Sequence, residues 1–517
     1  MRNNEKEKIK NKNIVEKKSY IVAVDIGSSE VVIAVGSMNE NGSLDVETVV
    51  TEPTEGVTAG LVDNNEFVAE ALRRAKDKAE AEAGIVITDA YVSISGKFVR
   101  CARYTDHVFV EDAENCISQR DVRALRDRMY NVKAADGEVI MDLFPLNYKG
   151  DSGVEMKNPV GSYSKQLSST YNFILCERAA KDRFRRVFLD AGIKVKGMFA
   201  SAAVVAESVV TTEEKEEGVA IVDIGSGVTD VAVYCGNVLS YIASIPIGGS
   251  AINSDIRHFN GYIPVKTIEN LKKRYGSAVV TETIDEMILI RKGSRPIKPI
   301  SRVNLAAVIG ARMTDIAEYV WNEIREAGYA KKLGAGIVLT GGVADLQNVA
   351  LLFNNVTGQE VRVACAEIGV NTESLEKVSS PNKTLAVSML LRGAQEGACP
   401  VGILHTPMPK AAPVVERTVV EPQPTEPQTI NQRFGVAAAA APVAAEPAQQ
   451  PYNETAQPVP PVSTIATSNE ADDYDDEEEN DDDIKRGGFS LSGWLSKTFK
   501  KGLDNAFRNP DDEDDDY

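Results

Sequence analysis

The chain has 517 residues, with 57 Lys and Arg against 76 Asp and Glu, a length that predicts several domains. Seventeen of the acids lie in two blocks, 470–483 and 511–516, so the rest of the chain is nearly neutral. This distribution, without any basic stripe, argues against nucleic-acid binding. Six scattered cysteines and three distant histidines indicate neither a disulfide framework nor a zinc site. No signal peptide and no apolar run of 18 residues is evident, so we expect a soluble, cytosolic chain.

The composition changes along the chain and predicts its organisation. Residues 1–19 form a charged extension that we expect to be disordered, and residues 20–400 alternate Val/Ile-rich runs with amphipathic helices, which is typical of α/β folds. Residues 401–487 are rich in Pro, Ala and acids and predict a disordered linker, because they cannot bury enough apolar surface. Residues 488–508 form a compact amphipathic segment, and an acidic tail, 509–517, follows.

An internal repeat carries the most information. The segment VDIGS occurs at 24–28 and again at 222–226, each time between two apolar runs. Strand, tight turn and strand predict a β-hairpin with a polar tip. Two such units in one chain predict two related lobes.

The two hairpin tips have the residue types of a phosphate site. Their glycines permit positive φ and allow backbone N–H groups to point into a cleft, an arrangement that holds phosphate oxygens. Asp25 and Asp223, one from each lobe, could hold a hydrated Mg²⁺, which favours oxygen ligands. An ordinary Asp–Gly hairpin is the alternative for either copy alone, and the repetition argues against it. The hydroxyl groups available as additional donors are those of Ser28, Ser29, Ser226 and Thr229.

Two later segments could complete such a site. LTGGVADL (339–346) places Gly341 and Gly342 between a buried strand and a helix expected to start near Ala344, where the backbone could approach a base or ribose. A simple tight turn is the alternative. IENLKKRYG (268–276) predicts a helix, on which Glu269 and Lys272 share one face. A solvated salt bridge is the alternative reading of that pair.

Taken in order, these motifs, together with IPIGGSAINSDI (245–256), resemble the nucleotide signature of the actin/sugar-kinase/Hsp70 ATPase superfamily. Within it the chain is most similar to the bacterial cell-division protein FtsA family. SISGKFVR (93–100) is similar to the FtsA segment leaving the first lobe, and GVEMKNPVG (153–161) to the end of its inserted subdomain. The resemblance covers about residues 20–398, and the terminal amphipathic segment extends it to 508.

The resemblance implies an α/β, two-lobed, actin-like ATPase fold with an inserted subdomain in lobe 1, a disordered tether and a C-terminal amphipathic helix. In lobe 1, the implied core comprises residues 20–97 and 179–210, and the inserted subdomain comprises 98–178. In lobe 2, the implied core begins with 211–257, and a smaller subdomain that binds FtsZ comprises 258–332. Residues 333–400 complete the lobe 2 core and return to lobe 1.

The resemblance also implies roles for residues. ATP with Mg²⁺ is the implied cofactor, and no general base is evident, so we expect slow ATP hydrolysis at most. The implied phosphate-binding residues are Gly27, Ser28, Ser29, Gly225, Ser226, Gly227 and Thr229; the adenosine and ribose residues are Glu269, Lys272, Gly341 and Gly342; Mg²⁺ is held, largely through water, by Asp25 and Asp223.

The segment 488–508 predicts an amphipathic helix, with bulky apolar groups on one face and mostly cations on the other. Such a helix lies in the headgroup layer of an anionic membrane, and docking in a protein groove is the alternative. The predicted membrane-binding residues are Phe489, Leu491, Trp494, Leu495, Lys497, Phe499, Lys500, Lys501, Leu503, Phe507 and Arg508.

FtsA-like proteins polymerise and tether the tubulin-like protein FtsZ to the membrane. We therefore expect a peripheral protein on the cytoplasmic face of the cell membrane at the division site. Its expected partners are FtsZ, further copies of itself, anionic phospholipid and other division proteins, but not nucleic acid. Three alternatives stay open: another actin-like scaffold of the cell-shape or pilus-assembly type, a sugar kinase, and an Hsp70-type ATPase.

Overall fold

A computed structural model of the chain describes residues 19–260, 263–289, 291–292, 295–296 and 299–396, all within one compact unit. The predicted linker, amphipathic segment and acidic tail lie outside these residues, as does the predicted N-terminal extension except for its last residue. Among the helices described, none is long and apolar enough to cross a membrane.

The order of elements is mixed α and β. The strands are β1 (Ile21–Ile26), β2 (Glu30–Met38), β3 (Leu44–Pro53), β4 (Val57–Thr58), β5 (Leu61–Val62), β6 (Asp89–Ile94), β7 (Val99–Phe109), β8 (Glu138–Lys149), β9 (Glu155–Met156), β10 (Gln166–Glu177), β11 (Lys194–Ala200), β12 (Val219–Ile224), β13 (Thr229–Cys235), β14 (Val238–Ile245), β15 (Met287–Ile288), β16 (Arg291–Lys292), β17 (Arg295–Pro296), β18 (Ile300–Ser301), β19 (Ile337–Thr340) and β20 (Val361–Val363). The α-helices are α1 (Asn65–Ala83), α2 (Gln119–Tyr130), α3 (Arg178–Asp190), α4 (Ser201–Val204), α5 (Thr212–Glu217), α6 (Gly249–Asn260), α7 (Val265–Tyr275), α8 (Arg302–Glu326), α9 (Val349–Thr357) and α10 (Thr384–Gln395).

The core of lobe 1 is a five-stranded sheet in the order β11-β6-β1-β2-β3. Strands β1 and β2 are antiparallel and β1 and β6 are parallel, and the central strands are buried because they are rich in Val, Ile and Ala. Helix α1 packs against β2 and β3. Asn64 caps the first turn of this helix, and Gly84, at φ +67°, caps its C-terminal end.

A second sheet, in the order β7-β10-β8-β9, occupies the segment between β6 and α3. Helix α2 packs on this sheet, and a separate apolar cluster around Leu125, Met129 and Phe173 fills the space between them. A capping box formed by Ser118 and Asp121 begins the helix. We call this sheet with α2 the insert, because it interrupts lobe 1 and has its own core.

Lobe 2 is built on a third sheet, in the order β14-β13-β12-β19-β20, with α6, α8 and α9 packed in its apolar core. The hairpin β12–β13 repeats the antiparallel pairing of β1–β2, and Asp223 is followed by the same kind of tight turn as Asp25. Helix α10 then returns to lobe 1 and packs against β1 and β2. The predicted two-lobed α/β fold, with an inserted subdomain in lobe 1, is confirmed.

One predicted element begins at a different place. The helix after LTGGVADL begins at Val349 rather than near Ala344, and residues 341–348 form a run of turns. Asn348 precedes the helix in a left-handed conformation at φ +61°, which Asn tolerates. The turns leave the backbone after β19 free to line a cavity.

Candidate functional site

A cavity of about 450 Å³ lies between the two lobes, and most of the residues predicted for the nucleotide site line it. A smaller chamber of about 90 Å³ adjoins the same hairpin tips. Segments that lie more than 300 residues apart in sequence therefore meet at one place. The predicted residues that line the larger cavity are Asp25, Gly27, Ser28, Ser29, Asp223, Gly225, Ser226, Glu269, Lys272, Gly341 and Gly342, and Gly227 lines the smaller chamber.

Thr229 is the predicted site residue that lines neither space. It is the first residue of β13, it is fully buried, and its hydroxyl donates a hydrogen bond of 2.8 Å to the Ile247 carbonyl. Because side chains alternate along a strand, the neighbouring Asp230 faces the smaller chamber instead. The structure thus places a carboxylate where the sequence predicted a hydroxyl.

The two hairpin tips have equivalent geometry. The Gly27 N–H donates to the Glu30 carbonyl at 2.9 Å, and the Gly225 N–H donates to the Val228 carbonyl at 2.9 Å. Neither glycine has positive φ, so the conformational reason predicted for them is wrong. Close approach explains them better, because a Cβ on either residue would lie 3.1 Å from that carbonyl oxygen.

The tips also touch each other across the cleft. A Cβ on Gly227 of lobe 2 would collide with the Ser28 hydroxyl of lobe 1 and would lie 3.3 Å from the Ala59 backbone nitrogen. Only a residue without a side chain allows this approach. The lobes are therefore in contact at the point where the two VDIGS segments meet.

Three carboxylates surround this contact. Burial, together with repulsion from Asp230 and Glu30, raises the pKa of Asp25 to about 6, although the Ser93 hydroxyl, 3.0 Å away, opposes the shift. Burial and the other two acids raise the pKa of Asp223 well above its usual range. Burial also raises the pKa of Asp230 to about 6, against hydrogen bonds from Ser244 and Ser95. A bound cation would relieve this repulsion.

The oxygen atoms of these carboxylates suit Mg²⁺ as ligands, although they are too few to enclose it. Oxygen atoms are the ligands that Mg²⁺ prefers, and the ion usually keeps several waters and uses one or two carboxylates. Among the described residues no group of three or more His, Cys, Asp or Glu could hold a metal by itself. The residues present therefore fit a hydrated Mg²⁺ between phosphates and one or two Asp side chains, and they do not form an all-protein metal cage.

The other side of the larger cavity is formed by α7. Lys272 Nζ lies 2.7 Å from Glu269 Oε2 and 3.3 Å from the Gly249 carbonyl oxygen, and Lys272 is only 7% exposed. Burial lowers the pKa of Lys272, against the attraction of Glu269. Burial would raise the pKa of Glu269, but Lys272 and the Asn253 side chain lower it overall. The pair is thus a half-buried element of the cavity wall rather than a solvated salt bridge.

The Gly-Gly segment after β19 closes the cavity. Gly341 has φ +87°, and a Cβ there would collide with the Asp223 carboxylate and approach the Ile224 backbone within 2.7 Å. Gly342 is open, since the nearest atom to a Cβ there is Asn382 Cβ at 3.7 Å. Gly341 is therefore required by backbone geometry, whereas Gly342 leaves space for a flat group beside it.

Several lining residues were not predicted from the sequence. Asp230 could have been found, since it follows the second VDIGS by the length of one hairpin turn. Glu30 and Asn382, joined by a 3.0 Å hydrogen bond from Asn382 Nδ2 to Glu30 Oε1, belong to no motif. The other unpredicted residues of the larger cavity are Val32, Gly249, Lys273, Val343, Asp345, Leu346, Ser380, Pro381 and Leu385. Those of the smaller chamber are Ile26, Gly60, Ser93, Ser95, Ser201 and Val228, with Leu385 shared by both.

These features define the class of the protein: an actin-like fold with a cavity between two related lobes. A solved structure described as a PilM–PilN type IV pilus biogenesis complex has the same fold, with a TM-score of 0.50 and 14% identity, covering 72% of this chain and 98% of that one. At that identity the likeness shows the fold alone.

The relatives in sequence are more specific. The chain is 30% identical over 387 residues to cell division protein FtsA of Escherichia coli K12, covering 73% of this chain and 91% of that protein. It is 29% identical over 388 residues to cell division protein FtsA of Pseudomonas aeruginosa, covering 74% and 91%. The family model described as cell division protein FtsA matches residues 220–388. The chain belongs to the FtsA family of cell-division proteins, and the sugar-kinase, Hsp70 and other-scaffold alternatives give way to it.

Proposed function

We propose that this division protein binds ATP with Mg²⁺ between its lobes, polymerises, and anchors FtsZ filaments to the cytoplasmic face of the cell membrane at the division site. The observation that carries the nucleotide part is the meeting of the two VDIGS hairpins, with Asp25 and Asp223, at one cavity. The membrane and FtsZ parts rest on the sequence resemblance and on the amphipathic pattern of 488–508.

Each part of the cavity suits one part of ATP. The tips around Gly27 and Gly225, with Ser28 and Ser226, offer backbone and hydroxyl donors to phosphate oxygens. The open space beside Gly342 and the Glu269–Lys272 pair would hold the adenosine. Mg²⁺, when bound, supplies positive charge that neutralises the phosphates and the acids beside them.

We propose that hydrolysis is slow at most. Asp230, an acid of the smaller chamber that we do not assign to the metal, already accepts hydrogen bonds on both carboxylate oxygens, from Ser95 and Ser244. Although burial raises the pKa of Asp230, both of its oxygens are occupied by serine hydroxyls, which leaves this carboxylate less free to orient an attacking water. Assembly would then be regulated mainly by the binding of the nucleotide and less by its hydrolysis.

The anchor is proposed from sequence, because 488–508 lies outside the described residues. Trp494, Phe499 and the other bulky groups share the apolar face, and the lysines on the opposite face would meet anionic headgroups. Each cation near such a surface contributes roughly 1 kcal/mol. One helix is a weak anchor, but several on one polymer bind tightly through effective concentration.

Co-sedimentation of the full chain with anionic liposomes and FtsZ, with and without ATP, tests the proposal beside a variant truncated at Lys485. We expect FtsZ to pellet with liposomes only when the chain is intact. If the truncated chain recruits FtsZ equally well, the terminal segment is not the anchor. If neither chain binds FtsZ, the proposed partner is wrong.

A matched pair of variants separates membrane insertion from charge. Phe499→Glu and Ser490→Glu both add one negative charge, but on a helical wheel only Phe499 lies on the apolar face. We expect Phe499→Glu to abolish liposome binding and Ser490→Glu to weaken it slightly. Equal losses would indicate that charge alone governs binding.

A further inference from the structure

A single buried carboxylate joins the two lobes at the base of the cleft. Asp230, on β13 of lobe 2, is only 6% exposed. Its Oδ2 accepts a hydrogen bond of 2.6 Å from the Ser95 hydroxyl, which follows β6 of lobe 1. Its Oδ1 accepts a hydrogen bond from the Ser244 hydroxyl on β14 of lobe 2. Both oxygens of one acid are thus used, one for each lobe.

Because Asp230 is buried, its carboxylate depends on these two hydrogen bonds for its stability. A carboxylate removed from water is stable only when it is hydrogen-bonded, and hydrogen bonds to a charged acceptor are the strong ones. If the lobes separate, the bond from Ser95 breaks while the bond from Ser244 remains within lobe 2. Opening the cleft therefore leaves Asp230 with one hydroxyl donor fewer.

Ser95 is held firmly in place. A Cβ on Gly60, which has φ +82°, would collide with the Ser95 carbonyl oxygen, so the turn at 59–60 packs directly on the Ser95 backbone. Gly96 follows at φ +135°, and a Cβ there would lie 3.0 Å from the Ala59 carbonyl oxygen. The same turn approaches Gly227 across the cleft, since the Ala59 nitrogen would lie 3.3 Å from a Cβ on Gly227. The hydroxyl of Ser95 is therefore fixed beside the contact between the hairpin tips.

Strand β14 extends this connection to the insert. Beyond Ser244, the Ile242 carbonyl accepts a hydrogen bond of 3.3 Å from the Cys101 thiol. The Ser240 carbonyl accepts one of 3.0 Å from Asn172 Nδ2 and one of 3.2 Å from the Tyr329 hydroxyl. Cys101 and Asn172 belong to the insert, so the strand that holds Asp230 also holds the insert against lobe 2.

We infer that Ser95, Asp230 and Ser244 form a latch that holds the lobes closed around the nucleotide and, through β14, fixes the position of the insert. They are positioning residues, and the inference rests on the proposed nucleotide site. Nucleotide release requires the lobes to part, and that step breaks the bond between Ser95 and Asp230. The latch therefore sets the rate of nucleotide dissociation.

The test compares Ser95→Ala and Ser95→Thr with the wild-type full chain. We measure dissociation of a fluorescent ADP analogue and, without nucleotide, amide hydrogen exchange in 93–96, 228–230 and β14. Ser95→Ala should release the nucleotide at least 10-fold faster and exchange faster in these segments, and Ser95→Thr should recover most of both, because it keeps a hydroxyl. Unchanged dissociation and exchange in Ser95→Ala would overturn the latch.

Two further variants make the result specific. Ser37 is a buried lobe 1 serine whose hydroxyl has no hydrogen-bond partner among the described residues, so Ser37→Ala should leave both rates unchanged. Ser244→Ala keeps the bond across the cleft and the backbone pairing of β13 with β14, but it removes the hydrogen bond from the Ser244 hydroxyl to the Asp230 carboxylate, and it should speed exchange in β14 most. Should Ser95→Ala fail to fold, Ser244→Ala still tests the β14 part of the latch. If the wild type binds no nucleotide, the proposed nucleotide-binding function is wrong. Hydrogen exchange measured without nucleotide still tests whether these residues hold the lobes together.

Discussion

Lys272 and Glu269 form an ion pair of 2.7 Å one helical turn apart on α7, with the lysine almost fully buried in the wall of the cavity. The carbonyl oxygen of Gly249, at the start of α6, accepts a hydrogen bond of 3.3 Å from the same lysine. The pair therefore joins α7 to the segment that follows β14, and it places a positive charge at the edge of the proposed ATP site.

Lys272→Met should lower both ATP affinity and stability. The apolar volume is kept, but Glu269 loses its main partner in a half-buried place, which we expect to cost about 1–3 kcal/mol of unfolding free energy. ATP titration should show at least 10-fold weaker binding. The double variant Glu269→Gln/Lys272→Met removes both charges and should recover stability but not affinity. Recovery of both would mean that the pair only supports the fold.

Asp223→Ala should abolish binding of ATP with Mg²⁺ while the chain stays folded. Its carboxylate is buried next to two other acids. Removing it should therefore increase the stability of the folded chain when no cation is bound. Isothermal calorimetry with Mg²⁺ and with EDTA separates the metal role from a steric one. The mutant and the wild type should differ much less in EDTA. An equal difference in both conditions would contradict the metal role.

Gly341→Ala and Gly342→Ala test the two adjacent glycines separately. At Gly341 the positive φ and the collision with Asp223 should cost about 2–4 kcal/mol of unfolding free energy. At Gly342 an added methyl group meets nothing closer than 3.7 Å, so unfolding should change by less than about 0.5 kcal/mol. Denaturant unfolding of both variants gives the comparison. Equal losses would show that the close contact at Gly341 is not the cause.

The repeat predicted much of the fold and the centre of the site. Two copies of VDIGS determine two hairpins by local strand and turn chemistry, and their equivalence predicts two lobes that can face each other. The same reasoning gave the wrong cause for Gly27 and Gly225, because close approach to a carbonyl depends on the path of the chain after the turn. The pattern was sufficient to locate the tips, and the structure was needed to explain them.

The residues that prediction missed are held by contacts between distant segments. Asn382 donates to Glu30 across 352 residues, and Ser95 donates to Asp230 across 135. The local sequence does not indicate which distant residue each side chain contacts, since an Asn or Ser in a turn has many uses. Thr229 differs for the opposite reason: its motif was clear, but strand alternation turns its side chain inward, where its hydroxyl donates to the Ile247 carbonyl. The membrane segment stays a prediction.

Asp142 gives a pH-dependent prediction away from the nucleotide site. It lies on β8 of the insert, with Oδ2 4.0 Å from Arg392 Nη2 on α10. Burial raises the pKa of Asp142 to about 6, because the Leu143 N–H and Arg392 oppose it too weakly. The folded chain therefore keeps a proton on Asp142 at pH values where the unfolded chain, with a pKa near 3.8, has lost it. The resulting stability is fully present below pH 3.8 and is lost as the pH rises through about 6.

Asp142→Asn should remove this loss, because the amide has the same shape and does not ionise. Relative to the wild type, the variant should gain on the order of 1–3 kcal/mol of unfolding free energy between about pH 4.5 and 7.5. Urea unfolding followed by tryptophan fluorescence at both pH values measures the difference. Asp142→Glu is the matched control, since it keeps a titrating carboxyl and should retain the wild-type pH dependence. A loss of stability in Asp142→Asn that grows as the pH rises would show that the attraction to Arg392, and not burial, controls this carboxyl.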